Sequence, residues 1–157
     1  MTALPEGLGV RALQDGEEGE WLRLRQVLWP ECELAIHEHE MRLLQALRPR
    51  SAVFVVSSTR PDDAGRLLGF VELSVRDYAE ACHGERVGYV EGWYVSPLWR
   101  GQGVGAALML AGEAWARDAG CTVMASDTGI ENVASQRAHA RLGFEDVGRL
   151  VHFRKRL

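Results

Sequence analysis

A chain of 157 residues with a formal net charge of −4 is long enough to bury the core of one ordinary domain. Its 46% hydrophobic and 25% charged residues exclude a disordered or fibrous polymer, and no apolar run reaches the roughly 18 residues needed to cross a bilayer. An acidic chain without a basic run or a nucleic-acid motif makes a poor partner for nucleic acid. The first residues, MTALPEGLGVRALQDGEE, hold no basic segment followed by an apolar one, so no leader peptide is expected. Residues 9–13 suit a short strand. Asp15 and Glu18 have the spacing of a capping box, and Trp21, Leu24 and Leu28 then share a helical face that Pro30 ends. A second helix is expected over 34–48, with Ile36, Leu43, Leu44 and Leu47 as its apolar positions.

Residues 52–58, AVFVVSS, are β-branched and suit a buried strand, followed by the polar turn TRPDDAG. Two long strands are expected at 67–76 and 86–96. A helix from about 104 places Val104, Leu108, Ala111 and Trp115 on one face, and Gly120 closes it. A short strand at 122–126, a helix at 132–142 closed by Gly143, and two last strands at 144–147 and 150–155 complete the chain. The order reads as one mixed α/β domain spanning 1–157, with no internal repeat or linker. Cys32, Cys82 and Cys121 are an odd count in unrelated contexts. That fits a reducing cytoplasm better than a disulfide framework. His37 and His39 are two apart on an expected helix and so do not share a face; no metal is expected there.

Between the strand at 86–96 and the following helix lies Arg100-Gly-Gln-Gly-Val-Gly105. A glycine-rich turn at a helix N-terminus gathers free N–H groups and the positive end of the helix dipole, so it can hold an anion. It can equally be a turn without a ligand. No Gly-Lys-Ser/Thr follows, so the stretch is not the Walker pattern, and its place in the chain does not suit a dinucleotide fingerprint. The stretch resembles the pyrophosphate loop of the GNAT superfamily of N-acetyltransferases, with the pattern Arg/Gln-x-x-Gly-x-Gly/Ala. Asn132 and Leu142-Gly-Phe144 are similar to the family's Asn…Gly-Phe signature. The segments at 89–95, 124–128, 131–136, 141–145 and 153–157, with Trp29-Pro30 and Asp77-Tyr78, resemble the aminoglycoside 6′-N-acetyltransferases within it.

The resemblance implies a single-domain GNAT fold, a mixed, mostly antiparallel sheet flanked by helices. It also implies acetyl-coenzyme A as co-substrate and an aminoglycoside as acceptor. The expected coenzyme residues are Trp93, Tyr94, Val95, Arg100, Gly101, Gln102, Gly103, Val104, Gly105, Ala106, Asn132 and His139. A backbone N–H near Val95 would receive the acyl oxygen. Many family members carry a tyrosine four residues before the glycine of Gly-Phe; here that position is His139, either a proton donor to the leaving thiolate or a packing histidine. A homodimer is implied as well, formed through the C-terminal strands.

Strand alternation puts Val87, Tyr89, Glu91, Trp93 and Val95 on one face. That leaves Glu91 between aromatic neighbours, as a solvated strand residue or, by the resemblance, a substrate-binding acid. Asp127 follows the strand at 122–126 and reads as a turn or N-cap residue, or by the resemblance as a contact to the aminoglycoside. Together the two carboxylates suit a polyamine sugar, and either can help remove the proton that a nucleophilic amine must lose. Trp29 is core by pattern and a pocket wall by resemblance; Tyr78 could stack on a sugar ring. The alternatives are acetylation of a polyamine or protein lysine, or a module that binds coenzyme A or drug without turnover.

Overall fold

The computed structural model describes residues 3–157, so Met1 and Thr2 of the expected domain lie outside the described residues. Five strands form one sheet in sequence order: β1 (Leu8–Ala12), β2 (Ser51–Ser58), β3 (Leu67–Arg76), β4 (Val87–Val95) and β5 (Val123–Ser126). The first four are antiparallel, and β5 runs parallel to β4. Helices α1 (Glu18–Leu28) and α2 (Leu34–Ala46) cover one face. Helix α3 (Val104–Asp118) covers the other, and the chain after α4 (Val133–Arg141) packs there through Leu142 and Phe144. This is the expected mixed, mostly antiparallel α/β architecture.

The helices form where apolar spacing is helical and are held by what that spacing buries. Trp21 and Leu24 of α1 are fully buried against Val55 and Phe70. Val104, Leu108 and Met109 of α3 are sealed against Val71, Leu73 and Val90. A buried leucine of this kind stabilises the fold by roughly 1.5–3 kcal/mol. Asn132 caps α4 by accepting a hydrogen bond from the Ser135 N–H at 3.1 Å.

Four expectations need correction. Asp15 does not cap α1. Gly16 takes a left-handed φ of 92° and prolongs the turn, and Glu17 and Glu18 accept the N–H groups of Gln14 and Gly16 instead. Helix α2 buries His37 and Met41, while Ile36, Leu43 and Leu47 are exposed and Leu44 is only part-buried. The strands expected at 144–147 and 150–155 do not form: residues 144–157 join no strand ladder among the described residues, and Val151 and Phe153 are 78% and 92% exposed. A strand without a neighbour has no ladder to make.

The fourth correction concerns the faces of β4. Glu72 of β3 faces Gly92, but Leu73 faces Val90, so Glu91 is an extra residue in β4. Such a bulge breaks the two-residue alternation. Val90 and Trp93 therefore pack on the α3 side, whereas Glu91 opens toward α1 and α2. Glu91 and Trp93 do not share a face.

Candidate active site

At the bulge the sheet also parts. The β4–β5 pairing runs from Val87 with Val123 to Val90 with Ser126 and then stops. Residues 91–95 of β4 continue with no strand on that side among the described residues. Two features meet at this opening: a glycine turn on the α3 side and a cavity under α1 and α2.

The turn is built as its residues require. Pro97–Trp99 make a short 3-10 turn, and Arg100 returns to donate its Nε–H to the Val95 carbonyl at 2.8 Å. The Gln102 amide donates to the Leu98 carbonyl at 2.8 Å. Gly103 is the N-cap of α3 with φ of 81°, a conformation that favours glycine. No side chain caps α3. The first-turn N–H groups of Val104, Gly105 and Ala106 have no intrahelical acceptor and point out from the positive end of the dipole. The donor set fits a diphosphate.

Trp93 and His139 wall the same side. Their rings meet edge to face with centroids 5.2 Å apart, and the Phe144 ring also meets His139 edge to face at 5.2 Å. The Trp93 indole Nε1 is buried without a partner among the described residues. His139 Nδ1 lies 2.8 Å from the Ser135 carbonyl, which can only accept, so Nδ1 carries the proton. Nε2 lies 2.9 Å from Ser126 Oγ, a hydroxyl that can donate to it or accept from it. Both ring nitrogens are engaged within the protein. Asn132, at the start of α4, is exposed and occupied as its cap.

The cavity has a volume of about 760 Å³ and includes Trp29, Glu72, Ser74 and Glu91 among its lining. Glu31 and Glu40 line it too, against the single cation Arg25, so its field favours a positive ligand. Beneath it lies a buried charge network. Arg25 and Glu72 are each 1% exposed and joined at 2.7 Å. The Trp21 indole also donates to Glu72 Oε1 at 2.7 Å. Arg25 continues to Glu40 and, at 3.3 Å, to His37 Nδ1. Burial pushes the Glu72 carboxyl up to about 7, against the pull of Arg25 and the Trp21 hydrogen bond.

Trp29 is held above this network. The Arg25 guanidinium lies 4.8 Å from its ring centroid, and a Cβ at Gly92 would come within 2.5 Å of its Cη2. Only glycine fits under that ring.

Glu91 is held by two β3 side chains. The Ser74 hydroxyl donates to Oε1. Arg76 forks onto the carboxylate, with Nη2 to Oε2 at 2.7 Å and Nε to Oε1 at 3.1 Å. The Arg76 guanidinium also covers the Tyr89 ring, its Cζ 3.5 Å from the centroid, and the Tyr89 hydroxyl donates to Asp127. Burial, and then this bond to Asp127, pushes the Tyr89 hydroxyl well above its usual range.

The sequence-expected residues are thus partly gathered. Trp29 and Glu91 share the cavity. Asp127 lies outside its lining and is linked to Glu91 through Tyr89 and Arg76. Tyr78 is exposed, bonded to Glu80 at 3.2 Å, and does not line the cavity. His37 is fully buried and His39 exposed, so the two do not converge. Sequence reasoning missed Arg25, Glu72, Ser74 and Arg76. A signal existed for the first two: Arg25 falls four residues after Trp21 on the apolar stripe, and Glu72 interrupts the apolar run LLGFVELSV.

With an anion cradle, an acidic cavity and a carboxylate at the opening between them, the arrangement can bring a phosphate-bearing donor against an amine. The acetyltransferase (GNAT) family model matches residues 20–144. The chain is 43% identical over 148 residues to aminoglycoside N(6′)-acetyltransferase type 1 of Klebsiella aerogenes, covering 94% of this chain and 96% of that protein. It is 39% identical to the protein of the same name from Stenotrophomonas maltophilia, covering 92% and 91%. Among solved structures it superposes on AAC(6′)-Iy in complex with the bisubstrate analogue CoA-S-monomethyl-acetylneamine. The TM-score is 0.84 at 32% identity, over 96% of this chain and 99% of that one. Matches of this extent, over residues that build both the turn and the cavity, place the chain in the GNAT family of acetyltransferases, among the aminoglycoside N(6′)-acetyltransferases.

Proposed function

We propose that the protein transfers acetyl from acetyl-coenzyme A to the 6′-amino group of aminoglycosides and so confers resistance to them. One observation carries this reading. Glu91 stands at the β4 bulge, where the acidic cavity meets the parted strands, and the uncapped turn packs on Trp93 two residues further along the same strand. The relatives named for this reaction support it.

Acetyl-coenzyme A supplies an activated acyl group and a thiolate leaving group. In the proposal its diphosphate is held by Arg100, Gly101, Gln102, Gly103 and the N–H groups of Val104, Gly105 and Ala106. Its acyl arm lies along Trp93, Tyr94 and Val95, with Asn132 and His139 on the flank. The acidic cavity takes the aminoglycoside, Trp29 is its wall, and Glu91 and Asp127 bind ammonium groups. Glu91 accepts the proton that the 6′-ammonium must lose before its nitrogen can attack. The N–H near Val95 faces the charge that develops on the acyl oxygen. The leaving group is a thiolate, whose conjugate thiol has a pKa of about 8.5, so it can depart unprotonated and take its proton from water, which agrees with the engagement of both His139 nitrogens inside the protein.

We further propose a homodimer and a cytoplasmic setting. The β5 edge facing away from β4 is unpaired among the described residues, and the apolar tail Leu150, Val151 and Phe153 is exposed. A second copy would pair or exchange these segments and close the sheet. Light scattering at micromolar concentration should give twice the chain mass; a monomer would count against it. Three free thiols suit a reducing compartment.

The reaction is tested by thiol release from acetyl-coenzyme A with aminoglycosides, a polyamine and a lysine peptide. Turnover restricted to aminoglycosides supports the proposal. Turnover on the peptide or polyamine alone transfers the assignment to those amines, and binding without thiol release makes the chain a non-catalytic module.

A further inference from the structure

Arg76 ends β3, and its guanidinium lies where the proposal puts a substrate cation. It grips both oxygens of Glu91, at 2.9 and 3.1 Å to Oε1 and 2.7 Å to Oε2. It covers the face of Tyr89, and Tyr89 in turn holds Asp127. Two carboxylates and an aromatic face are the groups that recognise an ammonium. We propose that Arg76 is a specificity-determining residue: it occupies the amine site of the free enzyme and yields it only to a substrate that brings its own positive charge.

This role for Arg76 rests on the reading that Glu91 receives the reacting amine. Both oxygens of Glu91 are already engaged by protein donors. Oε1 takes Ser74 and Arg76, and Oε2 takes Arg76. An ammonium that approaches without moving Arg76 meets a like charge already seated on the carboxylate. Arg76 is able to leave. Its side chain is 43% exposed, and Glu91 is its sole hydrogen-bond partner among the described residues. Arg25 contrasts with it, being sealed between Glu72 and Glu40 at 1% exposure. A substrate ammonium can take over the contacts of Arg76 with Glu91 and Tyr89. A hydroxyl at the same position brings no charge and leaves Arg76 in place. The exchange thus selects an amine at this position over an alcohol of the same shape.

The test is calorimetry with an aminoglycoside bearing a 6′-amino group and its 6′-hydroxy counterpart. Wild type, Arg76→Gln and Arg76→Lys are compared, with Arg76→Met as a second neutral variant and thermal melts to verify folding. Loss of the competing cation should tighten the 6′-amino ligand by roughly threefold or more. The 6′-hydroxy ligand, itself polycationic, should change by less, which separates a local exchange from the general field. Arg76→Lys keeps the charge but not the two-pronged grip, so it should tighten the 6′-amino ligand less than the neutral variants do. Equal tightening of both ligands, no change, or weaker binding of the 6′-amino ligand would overturn the proposal. If wild type acetylates aminoglycosides and yet the neutral variants bind no more tightly, only the role of Arg76 fails. If wild type neither binds nor acetylates them, the proposed function fails first.

Discussion

The Tyr89 hydroxyl donates a hydrogen bond to the Asp127 carboxylate across the paired ends of β4 and β5. This bond fixes a residue that local sequence places only in a turn, and it leaves one carboxylate oxygen for a ligand. Asp127→Asn keeps the shape and removes the charge. If Asp127 holds a substrate ammonium, its KM for aminoglycosides should rise roughly 10- to 100-fold with kcat little changed. Tyr89→Phe keeps the charge and should raise KM less. Steady-state kinetics on both variants decide between a ligand contact and a structural bond.

Glu91→Gln should act differently. As the residue that takes the amine proton, Glu91 should be felt in kcat, which should fall by roughly 10²- to 10⁴-fold. The acetyl-coenzyme A affinity should hold, because Glu91 lies outside the glycine turn. Near-wild-type kcat in the variant would remove Glu91 from the proton transfer.

Gly103→Val places a β-branched residue at φ of 81°. The left-handed conformation alone should cost about 1–2 kcal/mol, and the side chain would stand where a diphosphate must approach. Calorimetry with coenzyme A on folded variant should show affinity reduced tenfold or more. Wild-type affinity would mean that the turn does not hold the diphosphate.

Glu72 offers a prediction in stability. Its carboxyl is raised to about 7 in the folded protein, so between its unfolded value and that pH the folded state holds the extra proton. Its contribution is therefore present at low pH and is lost as pH rises toward and through 7. From pH 5 to pH 8 the unfolding free energy should fall by an amount on the order of 2 kcal/mol from this group. Glu72→Gln should flatten that slope in chemical denaturation; an unchanged slope would show that Glu72 does not titrate in this range.

The glycine turn and the close of α4 were legible because both depend on local backbone chemistry. Gly103 must be left-handed, and so must Gly143, which ends α4 with φ of 87°. The partners of Glu91 were hidden because they depend on register. One extra residue in β4 turns Glu91 away from Trp93 and toward Ser74 and Arg76 of β3, and no periodicity in either strand reports such a bulge. Glu72 and Arg25 were visible as polar interruptions of apolar patterns, but their pairing joins β3 to α1 across 47 positions. The last strands were misjudged for another reason: β-branched and aromatic composition signals the capacity to pair, and the described chain provides no partner for residues 144–157.

The most direct test of the central claim is the position of the acetyl group. Wild-type protein is incubated with acetyl-coenzyme A and an aminoglycoside carrying a 6′-amino group, in parallel with its 6′-hydroxy counterpart. Free thiol is followed, and the product is located by mass and proton spectra. One thiol released per drug acetylated, with the acetyl on N6′ and no turnover of the 6′-hydroxy compound, is the predicted result. Acetylation at another amine, or equal turnover of both compounds, would contradict it.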